Sequence, residues 1–158
     1  MNFSLDRIDF EILDLLQKDG RLTNKEVAAV VGLAPSSCFE RIRRLRDTGV
    51  ILGFHAEVAA EALGIGLQAM VGIQLKQHSR AEVEDFYAHV LSLPEVVAAY
   101  HLAGRQDFVV HVVVRDTEHL RNLAMDAFTT RPEVAHLETS LIYAASRKQA
   151  LPHLYEPI

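Results

Sequence analysis

The amino-acid sequence predicts an α+β chain in two parts, three short helices followed by a β-α-β-β-α-β unit, and three observations predict it. Apolar residues at helical spacing fill the first third of the chain, with Gly20, Gly32 and Gly49 closing successive segments. Further on, two helical stripes each end in Pro-Glu-Val, at Pro94-Glu95-Val96 and Pro132-Glu133-Val134, and each tripeptide leads into a strand-like run. Finally, 49% apolar residues over 158 positions supply a core for one domain or two small ones and exclude a disordered chain.

The first helix spans residues 6–19, with Ile8, Ile12, Leu15 and Leu16 recurring on one face. Thr23 and Glu26 form a Thr-x-x-Glu capping box, which starts a second helix with Val27, Ala28 and Val31 inward and Gly32 at its end. Pro35 fits the first turn of a third helix, where its missing N–H costs nothing, and Cys38, Ile42 and Leu45 give that helix its apolar stripe. Residues 50–57 read as a strand and residues 58–66 as an Ala/Gly-rich linker.

In the second part, Ser79 and Glu82 cap a helix carrying Val83, Phe86, Tyr87, Val90 and Leu91. The same spacing recurs at Leu120, Leu123, Ala124, Ala127 and Phe128. Strands are expected at 67–75, 96–102, 108–114 and 134–144, in the split, ferredoxin-like arrangement of a four-stranded antiparallel sheet with both helices on one face. The strand at 108–114 is apolar on both sides, with Phe108, Val110, Val112 and Val114 pointing one way and Val109 and Val113 the other. A second subunit is therefore expected on the free face. The expected boundaries are 1–53 for a trihelical helix-turn-helix domain, 54–66 for strand and linker, 67–146 for the ferredoxin-like domain and 147–158 for a C-terminal tail.

The composition narrows the function classes. No apolar run reaches the roughly 18 residues of a membrane span, and residues 56–75 are interrupted by Glu57, Glu61 and Gln68. Cys38 is the single cysteine, so no internal disulfide forms, and acids stand in residues 1–10 where a signal peptide would be basic and then apolar. The expected location is the cytoplasm, with no membrane partner. His55, His78, His89, His101, His111, His119, His136 and His153 are scattered without metal-ligand spacing, so no metal and no cofactor is expected. Strand histidines such as His101 and His111 are expected to be packed or hydrogen-bonded. No nucleophile-base pair, P-loop or dinucleotide fingerprint is present.

The third helix carries the strongest functional signal. Between Ser36 and Arg46 it holds Arg41, Arg43, Arg44 and Arg46 against Glu40, a local balance of +3. With Cys38, Ile42 and Leu45 inward, Ser36, Ser37, Glu40, Arg41, Arg43 and Arg44 are left facing out. Such a face, as the second helix of a helix-turn-helix, suits the major groove of double-stranded DNA. A plain solvated arginine face is the competing reading.

These residues carry a resemblance. Leu5-Asp6-Arg7-Ile8-Asp9, Leu22-Thr23-Asn24, Val31-Gly32-Leu33, the run Cys38-Phe39-Glu40-Arg41-Ile42-Arg43-Arg44-Leu45 and Gly49-Val50-Ile51-Leu52-Gly53-Phe54 resemble the leucine-responsive/asparagine regulator (Lrp/AsnC, feast/famine) family over nearly the whole chain. The resemblance implies a winged or hinged helix-turn-helix and a ferredoxin-like domain that binds an effector, often an amino acid. It also implies a transcription regulator that dimerises, with octamers as a common further assembly. Gly104 and Asp107 match the family's Gly-x-x-Asp turn, which in relatives helps line an amino-acid pocket between subunits. A glycine turn lets amides approach a carboxylate, and Asp107 can accept from an ammonium group. An ordinary hairpin turn is the alternative. Relatives often carry an acid and an aromatic where this chain has Arg105 and Gln106. Thr139 and Ser140 resemble the family's effector-responsive segment, or serve as edge-strand polar residues. The family often has Ser before the Pro of the third helix, where this chain has Ala34.

Two other readings share the architecture. A sirohaem-decarboxylase-like enzyme would use histidines in a haem-like pocket, and a metabolite-binding oligomer would lack the arginine face. The net charge of −5 resides entirely in residues 54–158, since residues 1–53 balance to zero with acids on the first helix and arginines on the third. The surface expected to meet DNA is thus locally basic although the chain is acidic.

Overall fold

A computed structural model describes residues 5–77, 79–148 and 150–154. His78 and parts of the expected tail lie outside these. The chain divides into two compact units, residues 1–57 with 146–158, and residues 58–145.

In the helical unit, α1 is Arg7–Lys18, α2 Asn24–Val31 and α3 Pro35–Asp47. Each start has a local cause. Asp6 and Asp9 form a capping box on α1, and Thr23 and Glu26 form the expected one on α2. Ala34 stands at the N-cap of α3 and offers no side-chain hydrogen bond, so Pro35 alone presets that first turn. Gly32 closes α2 at φ 70°, a left-handed conformation that glycine adopts without steric cost. Asn24 Nδ2 donates to the Pro35 carbonyl at 2.7 Å, tying the start of α2 to the start of α3.

Ile12, Leu16, Val27, Ala28, Val31, Cys38 and Leu45 make the core of this unit, with Ile8, Leu15 and Ile42 partly buried around it. Burial pushes the Cys38 thiol pKa above its ordinary value. The expected strand at 50–57 does not form. Ladder hydrogen bonds need a partner strand, and none of the described residues supplies one there. Val50 and Ile51 instead donate to the Leu45 carbonyl at 2.9 and 3.0 Å, and Phe54 packs over Gly20.

The C-terminal stretch is grouped with the helical unit and rests on α1. Leu151 donates its N–H to Gln17 Oε1 at 2.8 Å, and the His153 ring lies 5.0 Å from that of Phe10. No helical or strand periodicity marks residues 146–154, which is why the sequence reads as a free tail.

The second unit opens with a short 3-10 turn at Ala60–Leu63, inside the expected linker. Then follow β1 Leu67–Leu75, α4 Arg80–Ser92, β2 Val96–His101, β3 Phe108–Val114, α5 Thr117–Leu123 and β4 Val134–Leu141. The helix of α5 continues as a π turn over Ala124–Thr129, where the Thr129 hydroxyl donates to the Ala124 carbonyl at 2.9 Å. The sheet is antiparallel in the order β2-β3-β1-β4, the ferredoxin-like order that the sequence predicts. β4 ends at Leu141, short of the expected residue 144.

Strand alternation decides the two faces. Ala69, Val71, Ile73 and Leu75 of β1 and Phe108, Val110, Val112 and Val114 of β3 pack with Phe86, Val90, Leu120, Leu123, Ala127 and Phe128. Tyr87 and Leu91, expected inward, are exposed, because one sheet face buries a narrower helix stripe than the spacing allows. The opposite face carries Met70, Gly72, Val109, His111, Val113 and Tyr100 by register, flanked by Gln68, Gln74, His136, Glu138 and Ser140.

Candidate functional site

The α3 helix projects Ser36, Ser37, Glu40, Arg43 and Arg44 to the exterior, as the spacing predicts. Arg41 departs from that expectation: its side chain is 27% exposed and turns toward α1. There Arg41 Nη1 donates to Asp6 Oδ2 at 2.7 Å and to Asp9 Oδ1 at 2.9 Å, so this arginine joins α3 to α1. The reason is Asp9, which lies one helical turn before Ile12 on the core face and is 1% exposed. A carboxylate so placed requires a charged partner.

Asp9 is fully supplied. Its Oδ2 also accepts from Arg44 Nη2 at 2.5 Å and from the Asp6 N–H at 3.2 Å. Asp6 in turn accepts from the Asp9 N–H at 2.9 Å. That amide first, and Arg41 next, hold the Asp6 carboxyl below its ordinary 3.8. Arg43 pairs with Glu40 one turn away on the same helix. Glu40, Arg41, Arg43, Arg44 and Asp47 line a shallow open groove. Among the described residues, Arg46 has no acidic partner within ion-pair reach. Exposed Phe39, half uncovered on the same helix, had no polar signature to single it out.

The turn between β2 and β3 holds the second set of residues. Asp107 is buried, and its carboxylate accepts from the Leu75 N–H at 2.7 Å. Its own N–H donates to the Ile73 carbonyl at 2.9 Å, and its carbonyl accepts from the Leu102 N–H at 2.8 Å. Asp107 therefore laces the turn to the end of β1. Gly104 is not in the left-handed region, and a Cβ there would meet no atom of the chain within 4 Å.

Arg105 Nη2 lies 3.6 Å from Glu138 Oε2, and Gln106 Nε2 donates to the same oxygen at 3.2 Å. Gly72 makes room for this: a Cβ on it would come within 2.2 Å of the Gln106 amide. Glu138 and Gly72 carry no motif of their own and are legible only through the strand register. Thr139 stands opposite Val71 and Ser140 opposite Met70, so the two project to opposite faces of the sheet. Ser140 shares the open face with Glu138, whereas Thr139 does not.

Several of the described histidines have local partners. His111 pairs with Gln68 at 2.9 Å, His89 with the Ala127 carbonyl at 2.8 Å and His119 with Glu95 at 3.1 Å, while His101 stacks on Phe108. Burial lowers the His111 pKa from its ordinary value. Among the described residues no helix is long and apolar enough to cross a membrane.

Comparison with known proteins agrees with both parts. Residues 5–51 match the winged helix-turn-helix DNA-binding domain, and residues 68–150 match the Lrp/AsnC ligand binding domain. The chain is 43% identical over 139 residues to the HTH-type transcriptional regulator AldR of Mycolicibacterium smegmatis, covering 88% of this chain and 81% of that protein. It is 36% identical over 137 residues to the leucine-responsive regulatory protein of Rhizobium meliloti, covering 87% and 88%. Among solved structures, a transcriptional regulator of Neisseria meningitidis in complex with L-Met superposes with a TM-score of 0.86 at 31% identity, over 94% of this chain and 96% of that one. These relatives are named as regulators, which removes the decarboxylase alternative. With its helix-turn-helix, its four-stranded antiparallel sheet and these matches along its length, the chain belongs to the Lrp/AsnC family of DNA-binding transcription regulators.

Proposed function

We propose that α3 is the recognition helix and that the sheet unit senses an amino acid as part of a homodimer. The observation that carries the DNA reading is the exposed face of Ser36, Ser37, Glu40, Arg43 and Arg44 on the second helix of the motif. Short hydroxyls near the N-terminus of α3 suit base edges, and the arginines suit phosphates or guanine. Arg41 contributes from beneath, by fixing α3 on α1 through Asp6 and Asp9.

The effector reading is supported by the Neisseria meningitidis relative, whose structure holds L-Met. On this chain the candidate contacts are Gly104, Arg105 and Ser140 near the Gln106–Glu138 pair, with Asp107 holding the turn in place and Thr139 on the other face. A second subunit would cover the Met70, Val109, Val113 and Tyr100 surface and complete a pocket that one chain leaves open. Effector binding at that interface would shift the assembly or the spacing of the recognition helices, a linkage that runs both ways.

The test of the DNA reading is the salt dependence of binding. Replacing Arg43 and Arg44 with Ala should weaken binding to duplex DNA and reduce the log-log salt slope by about 0.9 for each phosphate that is no longer neutralised. Unchanged affinity and slope in a folded variant would remove α3 from the interface.

A further inference from the structure

The geometry points to Asp9 as a positioning residue for DNA binding, a buried carboxylate that holds Arg44 by one nitrogen and presents the rest of its guanidinium to a phosphate. This rests on the reading that α3 meets DNA. The two arginines on Asp9 are not equivalent. Arg41, 27% exposed, bridges Asp6 and Asp9 and so ties α3 to the start of α1 at two points. Arg44, 51% exposed, adds a 2.5 Å contact through Nη2 to Asp9 Oδ2.

A guanidinium carries five donors in a planar fork. With Nη2 on Asp9, the Nε and Nη1 edge stays open, and among the described residues no second acid engages it. An arginine already anchored at one nitrogen loses less rotamer freedom on docking than a free one. The same side chain lines the groove that Glu40, Arg43 and Asp47 share, so the open edge belongs to the surface that would meet the duplex. The buried acid thus acts through Arg44, in the way a carboxylate behind a ligating side chain fixes its orientation.

The sign of the effect separates this role from simple electrostatics. Removing a negative charge beside a polyanion should tighten binding, whereas removing an anchor should weaken it. The experiment is a double-mutant cycle of Asp9→Asn and Arg44→Ala in the full chain, read by fluorescence anisotropy with a labelled mixed-sequence duplex across a salt series. Asp9→Asn is expected to weaken binding roughly 2- to 10-fold with Arg44 present and to have no effect in the Arg44→Ala background. An equal loss in both backgrounds, which a merely structural role would give, overturns the proposal, as does tighter binding by Asp9→Asn. If Arg43→Ala and Arg44→Ala leave binding intact, the α3 reading itself fails, a separate outcome. Thermal melts establish that each variant is folded. Where Asp9→Asn is not, Asp9→Glu takes its place in the same cycle, keeping the charge and displacing the carboxylate by one methylene, with the same two expectations.

Discussion

Arg41→Ala removes the inner partner of a buried acid and leaves the surface of α3 otherwise intact. Breaking a fully buried ion pair from one side costs about 3–5 kcal/mol, chiefly because a charge stays buried without compensation. Asp9 keeps Arg44 and the Asp6 N–H, and Arg41 is itself partly solvated, so the Asp9 share falls to about 2 kcal/mol after screening. The lost pair with the more exposed Asp6 adds about 0–1 kcal/mol. The expected total is about 2–3 kcal/mol for the helical unit. Urea denaturation of the full chain, followed by helical circular dichroism, measures it against Arg7→Ala, which removes only an exposed pair with Glu11. A cost for Arg41→Ala no larger than the control would refute the reasoning.

The same cluster has a pH signature. The Asp6 carboxyl is depressed in the folded chain by the Asp9 N–H and then by Arg41, so it contributes stability above its unfolded value. That contribution is lost as pH falls below about 4 through the lower folded value. Arg41→Ala should make this acid loss shallower, because the second-largest of its causes has gone.

Two further outcomes follow from particular residues. Ala34→Ser supplies an oxygen at the uncapped start of α3 and should stabilise the helical unit by about 1 kcal/mol, seen as a raised melting temperature; no rise would mean that the first turn already satisfies its amides by another route, such as Ser36. A thermal-shift screen of the twenty amino acids, with mass measured alongside, should find a stabilising ligand and a mass of at least two chains, and a clean blank would favour an effector-independent regulator.

Legibility in the sequence followed the range of the interaction. The Thr23–Glu26 box and Pro35 at the start of α3 act within one turn, and the strands at Leu67–Leu75 and Phe108–Val114 repeat every second residue; all four stand where the spacing predicts. Residues 50–57 have strand composition yet form no strand, since pairing depends on a neighbour and composition does not supply one. The contact of residues 151 and 153 with α1 spans most of the chain and leaves no periodic mark. Asp9 was hidden for another reason: a charge does not register as core, although its spacing to Ile12 and Leu16 places it there, with Arg41 and Arg44 one turn apart on α3 as the complementary signal.

The sequence by itself determined the two-part architecture, the helix starts, the buried strand faces and the exposed basic helix, because each is set by local caps or by a fixed period of side-chain direction. Only the tertiary structure decided which arginines face out. Arg41 and Arg44 sit on neighbouring turns of α3 with the same chemistry and both reach the buried Asp9, thirty-two and thirty-five residues away, but Arg41 also bonds Asp6 and is the more buried of the two. It likewise decided that Asp107 secures the end of β1 while Gln106 and Arg105 meet Glu138, because those contacts follow strand register rather than neighbourhood in the chain.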